Sequence, residues 1–499
     1  MRTYKEEYQH WLDSPALNEQ EWAELSAIAD DEKEIENRFY APLSFGTAGL
    51  RGTMKVGLHH MNIHIIRHAT QAFANVIIAE GPEAMEKGIA IAHDCRLNGV
   101  EFAREAACVM AANGIKVRLF DELRPTPELS FAVIHYGCAA GLNVTASHNP
   151  KEYNGMKISR SMAIPVGGDT GLKDLEKMVN DLTVEPVCEC KRGKVIEKDI
   201  HQAYLDFQKR FLPDMSGLSI TVDTSNGMSN LYAKELFGDH AKYINDTMDG
   251  TFPGHEPNPL DVKNCAQIME AVKKNKSDCG VIYDGDADRV MFIDERGRFI
   301  QPDYVTGVLG MYYLAKEKGS VLVDIRTSRS TTEYLERIGA TDIYTWKVGH
   351  AFAKMKIREK GCIFGGELAG HYYFRDFFNC DSGILASLIV LQTVAALKKQ
   401  GKTLGQLIDE IVAYANSGEI NFKLEQKDEA IDALYKKYSA MNPTKIMDFD
   451  GYRIEFPSWW FSVRKSNTEP YLRIVAEAKS QAELDEKLAD LKAIIGQFH

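Results

Sequence analysis

Gly88-Ile-Ala-Ile-Ala92, followed by VEFAREAACVMAAN at residues 100–113 and then Ile115-Lys-Val-Arg-Leu-Phe120, is the stretch that decides the fold. The first run has no polar alternation and reads as a short strand buried on both faces. The second reads as a helix ending near Gly114, and the third as the next strand. Strand, helix, strand at this spacing is a crossover unit: two parallel strands with a helix packed over them. The expectation is an α/β layered domain with a mainly parallel sheet.

The same rhythm begins at about residue 60 and restarts twice. Leu218-Ser-Ile-Thr-Val222 opens a second α/β unit, which closes with strands at 280–283 and 290–293. Ser320-Val-Leu-Val-Asp324 opens a third, with residues 383–400 as its long late helix. The last 80 or so residues differ, with strands at 459–463 and 471–476 and then a helix. Ser480 and Glu483 suggest a capping box for that helix, and Leu484, Leu488, Leu491 and Ile495 form its apolar stripe. Upstream, residues 1 to about 40 read as two helices, with Asn18 and Glu21 as an N-cap pair and Trp22, Leu25 and Ile28 on one face. The predicted fold class is α/β: three similar mixed α/β sheet domains plus a smaller C-terminal α+β domain, divided as 1–195, 196–299, 300–415 and 416–499.

The length of 499 residues agrees, since about 150 residues per domain gives three or four. A composition of 44% hydrophobic, 26% charged and 10% aromatic residues rules out a disordered, collagen-like or low-complexity chain. The net charge of −12 argues against a broad nucleic-acid footprint, which is basic, but leaves room for small anionic ligands held by local cations. The most apolar stretch, residues 383–397, is too short and too polar to span a bilayer, and MRTYKEEYQHWLDS lacks the apolar core of a secretory signal. Nine cysteines cannot all pair within the chain; Cys108, Cys138, Cys279 and Cys362 sit in apolar runs, and Cys188-Glu189-Cys190 has no second pair at metal-ligand spacing. A reduced, cytoplasmic setting follows.

Four loops carry chemistry. Val144-Thr-Ala-Ser-His-Asn-Pro150 is small and polar, and reads as an exposed turn in which the Ser147 hydroxyl could act as nucleophile or phosphate carrier; an ordinary Asn-Pro turn has the same composition. In Asp284-Gly-Asp-Ala-Asp-Arg289, three carboxylates at alternate positions cannot pack together without a cation, which points to Mg²⁺ or a similar hard ion. Arg289 where an EF-hand loop needs glycine, and the β-rich flanks, argue against an EF-hand; a solvated acidic turn is the plain alternative. Gly365-Gly-Glu-Leu-Ala-Gly-His371 brings flexible backbone, an acceptor for vicinal hydroxyls in Glu367 and a proton donor or relay in His371. Arg464-Lys-Ser-Asn-Thr-Glu-Pro470 is a natural phosphate cradle, although a solvated hairpin turn is the plain alternative. A hydroxyl carrier, a divalent metal, a polyol-reading loop and a remote phosphate clamp together describe metal-assisted phosphoryl transfer on a sugar phosphate.

These motifs, in this order, resemble those of the α-D-phosphohexomutase superfamily, in particular its phosphomannomutase/phosphoglucomutase members, and the resemblance covers nearly the whole chain after about residue 40. It implies four domains around a central cleft. TASHNP resembles the phosphoserine loop, making Ser147 the carrier; DGDADR the metal loop, with Asp284, Asp286 and Asp288 as Mg²⁺ ligands completed by the Ser147 phosphate; GELAGH the sugar loop; and RKSNTEP the phosphate loop. Phe45-Gly-Thr-Ala-Gly-Leu-Arg-Gly52 places Arg51 in the active site, and Lys157 becomes a proton-transfer candidate. Trp346-Lys-Val-Gly-His350 resembles the loop that reads sugar orientation. The implied catalytic set is Ser147, Arg51, Lys157, His350 and His371. The implied substrate contacts are Arg289, Lys347, Gly349, Glu367, Ala369, Arg464, Ser466, Asn467, Thr468 and Arg473.

The family's reaction implies a hexose 1,6-bisphosphate as activator and intermediate, sugar phosphates as the partners, and a monomer or homodimer. Two positions depart from the pattern: Ala369 replaces a common serine, and Arg326 stands where relatives often have lysine. The opening segment looks like the phosphoglucomutase/phosphopentomutase branch, whereas the sugar loop and the tail look like phosphomannomutases. Mannose and glucose phosphates are therefore expected, mannose slightly ahead. Glucosamine or pentose phosphates are the alternatives, a phosphatase is a rival, and a non-catalytic sugar-phosphate sensor is a remote one.

Overall fold

The computed structural model describes residues 2–46, 49–120, 122–166, 195–466 and 471–498, with residues 195–197 as backbone only. Three sheets share one plan. In the first, strands Val117–Leu119, Ile89–His93 and Ala140–Val144 run parallel in that spatial order, and Tyr153–Arg160 returns antiparallel. The second places Ala241–Ile244, Ile220–Asp223 and Cys279–Tyr283 parallel, then Val290–Asp294 antiparallel. The third repeats this with Ala340–Trp346, Gly319–Asp324, Phe364–Gly366 and the returning Tyr372–Phe374. The first sheet is widened to eight strands, among them Gly49–Thr53 beside the returning strand and Val195–Glu197 at the opposite edge. The second unit also carries a further strand, Phe299–Ile300, beyond the two that were expected to close it.

The consequence for the site is topological. In each unit the chain turns back between the third parallel strand and the antiparallel one, at the carboxyl end where parallel sheets present ligands. The Ser147, Asp284 and Glu367 loops occupy these three equivalent turns. The fourth sheet is all antiparallel, and the Arg464 loop joins its strands Trp459–Lys465 and Tyr471–Ala478.

Helix Gly383–Lys399 locks the second and third units together. Leu385, Leu388, Ile389 and Leu391 are fully buried, and Tyr283 of the second sheet donates to Ser387 Oγ at 2.6 Å. Each such buried aliphatic contributes roughly 1.5–3 kcal/mol of apolar transfer. The helix starts on the Ser382 cap, and the Gly383 N–H donates to the Ala287 carbonyl at 3.1 Å, which ties the helix to the 284–289 loop.

Three local expectations are corrected. The N-terminal segment forms three helices, Tyr4–Leu12, Glu19–Ser26 and Glu32–Phe39, because Asp31 caps a new start by accepting from the Glu34 N–H. Asn18 and Glu21 do form their capping box, but Trp22 is 54% exposed and only Leu25 of the expected face is buried. In the last helix, Gln481–Ile495, Ser480 caps the Glu483 N–H, while the Glu483 carboxylate accepts from Ser458 Oγ rather than closing a capping box. Its apolar stripe packs as expected.

Candidate active site

Ser147 is buried, not exposed, with 2% of its surface accessible and φ of +54°. The reason lies in the loop's supports. The Arg96 guanidinium donates to the carbonyls of Ser147, Asn149, Pro150 and Tyr153 at 2.6–3.1 Å. Asp94 braces Arg96 from behind and accepts from Thr145 Oγ1 at 2.6 Å, and Thr145 Oγ1 in turn accepts from the Ser147 N–H at 2.9 Å. The loop is thus drawn onto the 284–289 loop, where Ser147 Oγ donates to Asp284 Oδ2 at 3.2 Å.

Asp284, Asp286 and Asp288 are each buried, and one oxygen of each lies within 4.8 Å of the others. The expectation that they need a cation is met first by the protein itself. Lys157 Nζ sits 2.6 Å from both Asp286 Oδ2 and Asp288 Oδ2, and Arg289 Nε donates to Asp284 Oδ2 at 2.9 Å. Burial works against the Lys157 charge, but the two aspartates outweigh it and raise its pKa. The same ammonium helps to hold Asp286 and Asp288 below the usual carboxylate range against their own burial. Asp284 is pushed up to about 7, chiefly by burial, opposed by Arg289. Asp286 Oδ1 and Asp288 Oδ1 are buried without a hydrogen-bond partner among the described residues. Orphaned, clustered carboxylate oxygens are the donor set of a hard divalent cation, so these residues fit Mg²⁺.

The third unit meets this centre through His371. Arg289 and His371 form an isolated antiparallel bridge, and His371 Nδ1 lies 2.9 Å from Asp381 Oδ2 and 3.9 Å from Asp288 Oδ1. His350 stacks on His371 with centroids 5.5 Å apart, and Lys354 Nζ pairs with Asp381 at 2.6 Å. The two imidazoles are driven apart: burial and Lys354 hold the His350 pKa far down, while Asp288 and Asp381 overcome burial and raise that of His371. Glu367 accepts from the Gly349 N–H at 2.9 Å and from the Tyr373 hydroxyl, and Gly349 has φ of +127°, a conformation suited to glycine. Lys347 lies over Phe352 and lines a crevice with Asp324, Trp346 and Glu367. Ala369 is half-buried at the turn. Arg51 donates to Asn149 Oδ1 at 3.1 Å, on the Ser147 loop.

Arg464 and Arg473 are directly opposite on paired antiparallel strands. Like charges in that position repel, so acids gather around them. Arg473 pairs with Glu419 at 3.0 Å, and Arg464 Nε lies 3.4 Å from Asp450. Both acids reach the third unit as well: Glu419 accepts from Arg326 at 2.9 Å, and Asp450 Oδ2 accepts from the Val348 N–H at 2.9 Å. Arg464 is 2% exposed, and its Nη2 has no hydrogen-bond partner among the described residues, leaving a donor for an anion. Ser466 follows at the strand end. Asn467 and Thr468 lie outside the described residues.

The structure therefore joins the four loops in one series, Ser147 to Asp284, Asp288 to His371, Glu367 to Gly349, and Val348 to Asp450 to Arg464. Sequence reasoning missed Arg96, Lys354, Asp381, Glu419 and Asp450. The available signal was position: Asp94-Cys-Arg96 immediately follows the strand Ile89–His93, at its carboxyl end.

Comparison with known proteins identifies the family. Models described as phosphoglucomutase/phosphomannomutase alpha/beta/alpha domains I, II and III match residues 42–184, 202–297 and 301–414, and the model of the C-terminal domain matches 419–494. The chain belongs to the phosphoglucomutase/phosphomannomutase family. It is accordingly an enzyme of the mutase class, an intramolecular phosphotransferase. It is 35% identical over 423 residues to the phosphomannomutase of Escherichia coli K12, covering 82% of this chain and 91% of the relative. It is 34% identical over 408 residues to a Xanthomonas campestris protein named phosphohexose mutases, covering 79% and 88%. A Burkholderia thailandensis structure of the same family superimposes with a TM-score of 0.80 at 25% identity, over 91% of this chain and 98% of that one. No helix among the described residues is long and apolar enough to cross a membrane.

Proposed function

We propose that this enzyme interconverts hexose 1-phosphates and hexose 6-phosphates, mannose slightly ahead of glucose, through a phosphorylated Ser147. The observation that carries the reading is the placement of Ser147 Oγ 3.2 Å from Asp284, beside two buried carboxylate oxygens that lack partners. Asp284, Asp286 and Asp288 would hold Mg²⁺. That ion, when bound, neutralises charge on the transferring phosphoryl oxygens.

The free hydroxyl of the bound hexose phosphate attacks phosphorus, the Ser147 Oγ–P bond breaks, the hydroxyl proton passes to a neighbouring base, and the departing Ser147 oxygen takes up a proton. Lys157, His350 and His371 are the candidates for proton transfer: His350, held neutral, is suited to accept a proton, and Lys157, held charged, to donate one. Arg464 and Arg473 grip the phosphate that is not reacting, while Glu367, the Gly349 backbone and Lys347 read the ring. The resulting hexose 1,6-bisphosphate turns over within the site, and its other phosphate returns to Ser147. The relatives named phosphomannomutase, at 32–35% identity, support mannose.

Specificity constants for mannose 1-phosphate and glucose 1-phosphate, measured side by side with Mg²⁺ and the matching bisphosphate, test this proposal. Turnover of both with mannose ahead is expected. No turnover with mannose, glucose, glucosamine or ribose phosphates would refute the mutase reading for these sugars, and release of inorganic phosphate equal to substrate loss would make the activity a phosphatase.

A further inference from the structure

The two oxygens of Asp286 are treated unequally. Oδ2 accepts from Lys157 Nζ at 2.6 Å and from Thr126 Oγ1 at 2.5 Å, whereas Oδ1 has no partner among the described residues. A hydroxyl carries one proton, and an ionised carboxylate only accepts, so the Thr126 proton points at Asp286. Asn143 Nδ2 donates to Thr126 Oγ1 at 2.8 Å and holds the hydroxyl in that direction. The Thr126 N–H also donates to the Asp286 carbonyl at 3.1 Å, so one residue grips both ends of the aspartate.

The origin of these groups gives the arrangement its meaning. Thr126 is the first residue of helix Thr126–His135. Asn143 and Lys157 are cross-strand partners on Ala140–Val144 and Tyr153–Arg160, the strands that flank the Ser147 loop. Cross-strand partners project to the same face. Asn143, Thr126, Asp286 and Lys157 thus close a ring between the strands that deliver Ser147 and the loop that would hold the cation. Thr126 is 8% exposed and Asn143 fully buried.

We infer that Thr126 is a positioning residue: by saturating Oδ2 together with Lys157, it turns Oδ1 of Asp286 toward the divalent cation and ties that orientation to the Ser147 strand. The inference rests on the reading that the three aspartates hold the cation. Removing a group that orients a metal ligand typically weakens metal binding by about 10–100-fold.

The test is calorimetric titration of Mg²⁺ into the full-length protein phosphorylated at Ser147, comparing wild type, Thr126→Val, Thr126→Ser and Asp288→Ala. Thr126→Val should weaken Mg²⁺ by about 10–100-fold, and Thr126→Ser should stay within about threefold of wild type. With saturating Mg²⁺, kcat of Thr126→Val should return to within about fivefold of wild type, because the lesion lies in affinity. Thr126→Ala takes the place of the valine variant if that one does not fold. A folded Thr126→Val or Thr126→Ala that binds Mg²⁺ as tightly as wild type overturns the inference while leaving the cation reading intact. A wild type that does not bind Mg²⁺, or an Asp288→Ala variant that binds it equally well, overturns the cation reading and the inference with it.

Discussion

Ser147 Oγ and Asp284 Oδ2 lie 3.2 Å apart although 137 positions separate them in the chain. Nothing local brings them together; the contact exists because two sheets of the same plan present their equivalent turns to each other. The hydroxyl spends its proton on a carboxylate that burial has pushed up to about 7.

Ser147→Ala removes one side-chain hydrogen bond and leaves the Arg96 clamp on the loop backbone in place. We expect the protein to fold with a thermal midpoint within a few degrees of wild type, and kcat to fall by about three orders of magnitude or more. Steady-state kinetics alongside a thermal melt decide it: activity within a few-fold of wild type would assign the carrier role elsewhere.

Lys157→Met takes the ammonium away from two buried carboxylates. Breaking a buried pair by removing one partner costs about 3–5 kcal/mol. Without divalent metal the variant should melt well below wild type, and added Mg²⁺ should raise its midpoint more than it raises that of wild type, since the ion then supplies the missing positive charge. Equal Mg²⁺ shifts in the two proteins would contradict a shared site.

The pH dependence of metal binding follows from Asp284. Its pKa is raised, so it is largely protonated below about 7, and a cation must displace that proton. The sign is an affinity that climbs with pH: with one proton lost around pH 7, apparent Mg²⁺ affinity should increase about tenfold between pH 6 and pH 8 and then level off. Titrations at pH 6, 7 and 8 measure the slope directly. A flat profile would mean that Asp284 is already ionised at pH 6.

Arg464→Ala removes a buried guanidinium with an unpartnered Nη2. If it grips the phosphate remote from the chemistry, KM for the sugar phosphate should rise by about a hundredfold, the scale of a lost buried charge pair, with a smaller loss in kcat. A change confined to kcat would place this arginine near the transferring phosphoryl group instead.

Much of this molecule was legible because its signals are local. Gly88-Ile-Ala-Ile-Ala92, the apolar stripe after Ser480 and the three alternating aspartates declare themselves within a few residues. What escaped depends on partners far away in the chain. Lys157 could be placed in the site, but not recognised as the cation between Asp286 and Asp288, because cross-strand register decides where its ammonium lands. Arg96, Thr126 and Asp381 carry no spacing pattern of their own and gain their roles only when separate segments meet: Arg96 under the 147–153 loop, Thr126 against Asp286, and Asp381 between Lys354 and His371. Ser147 reads as exposed because its neighbours are small and polar; the second unit closes over it. The third N-terminal helix was hidden because no glycine or proline separates it from the second, and only the Asp31 cap marks its start.

Serine and threonine offer the same hydroxyl, and in solution their phosphate esters are near equivalents. At position 147 they are not interchangeable. The backbone there has φ of +54°, which serine tolerates and a β-branched side chain strongly disfavours. Threonine would have to pull the loop off its Arg96 anchor or carry the strain in place. If Ser147 is the carrier proposed here, the identity of that alcohol is set by a backbone torsion as much as by reactivity.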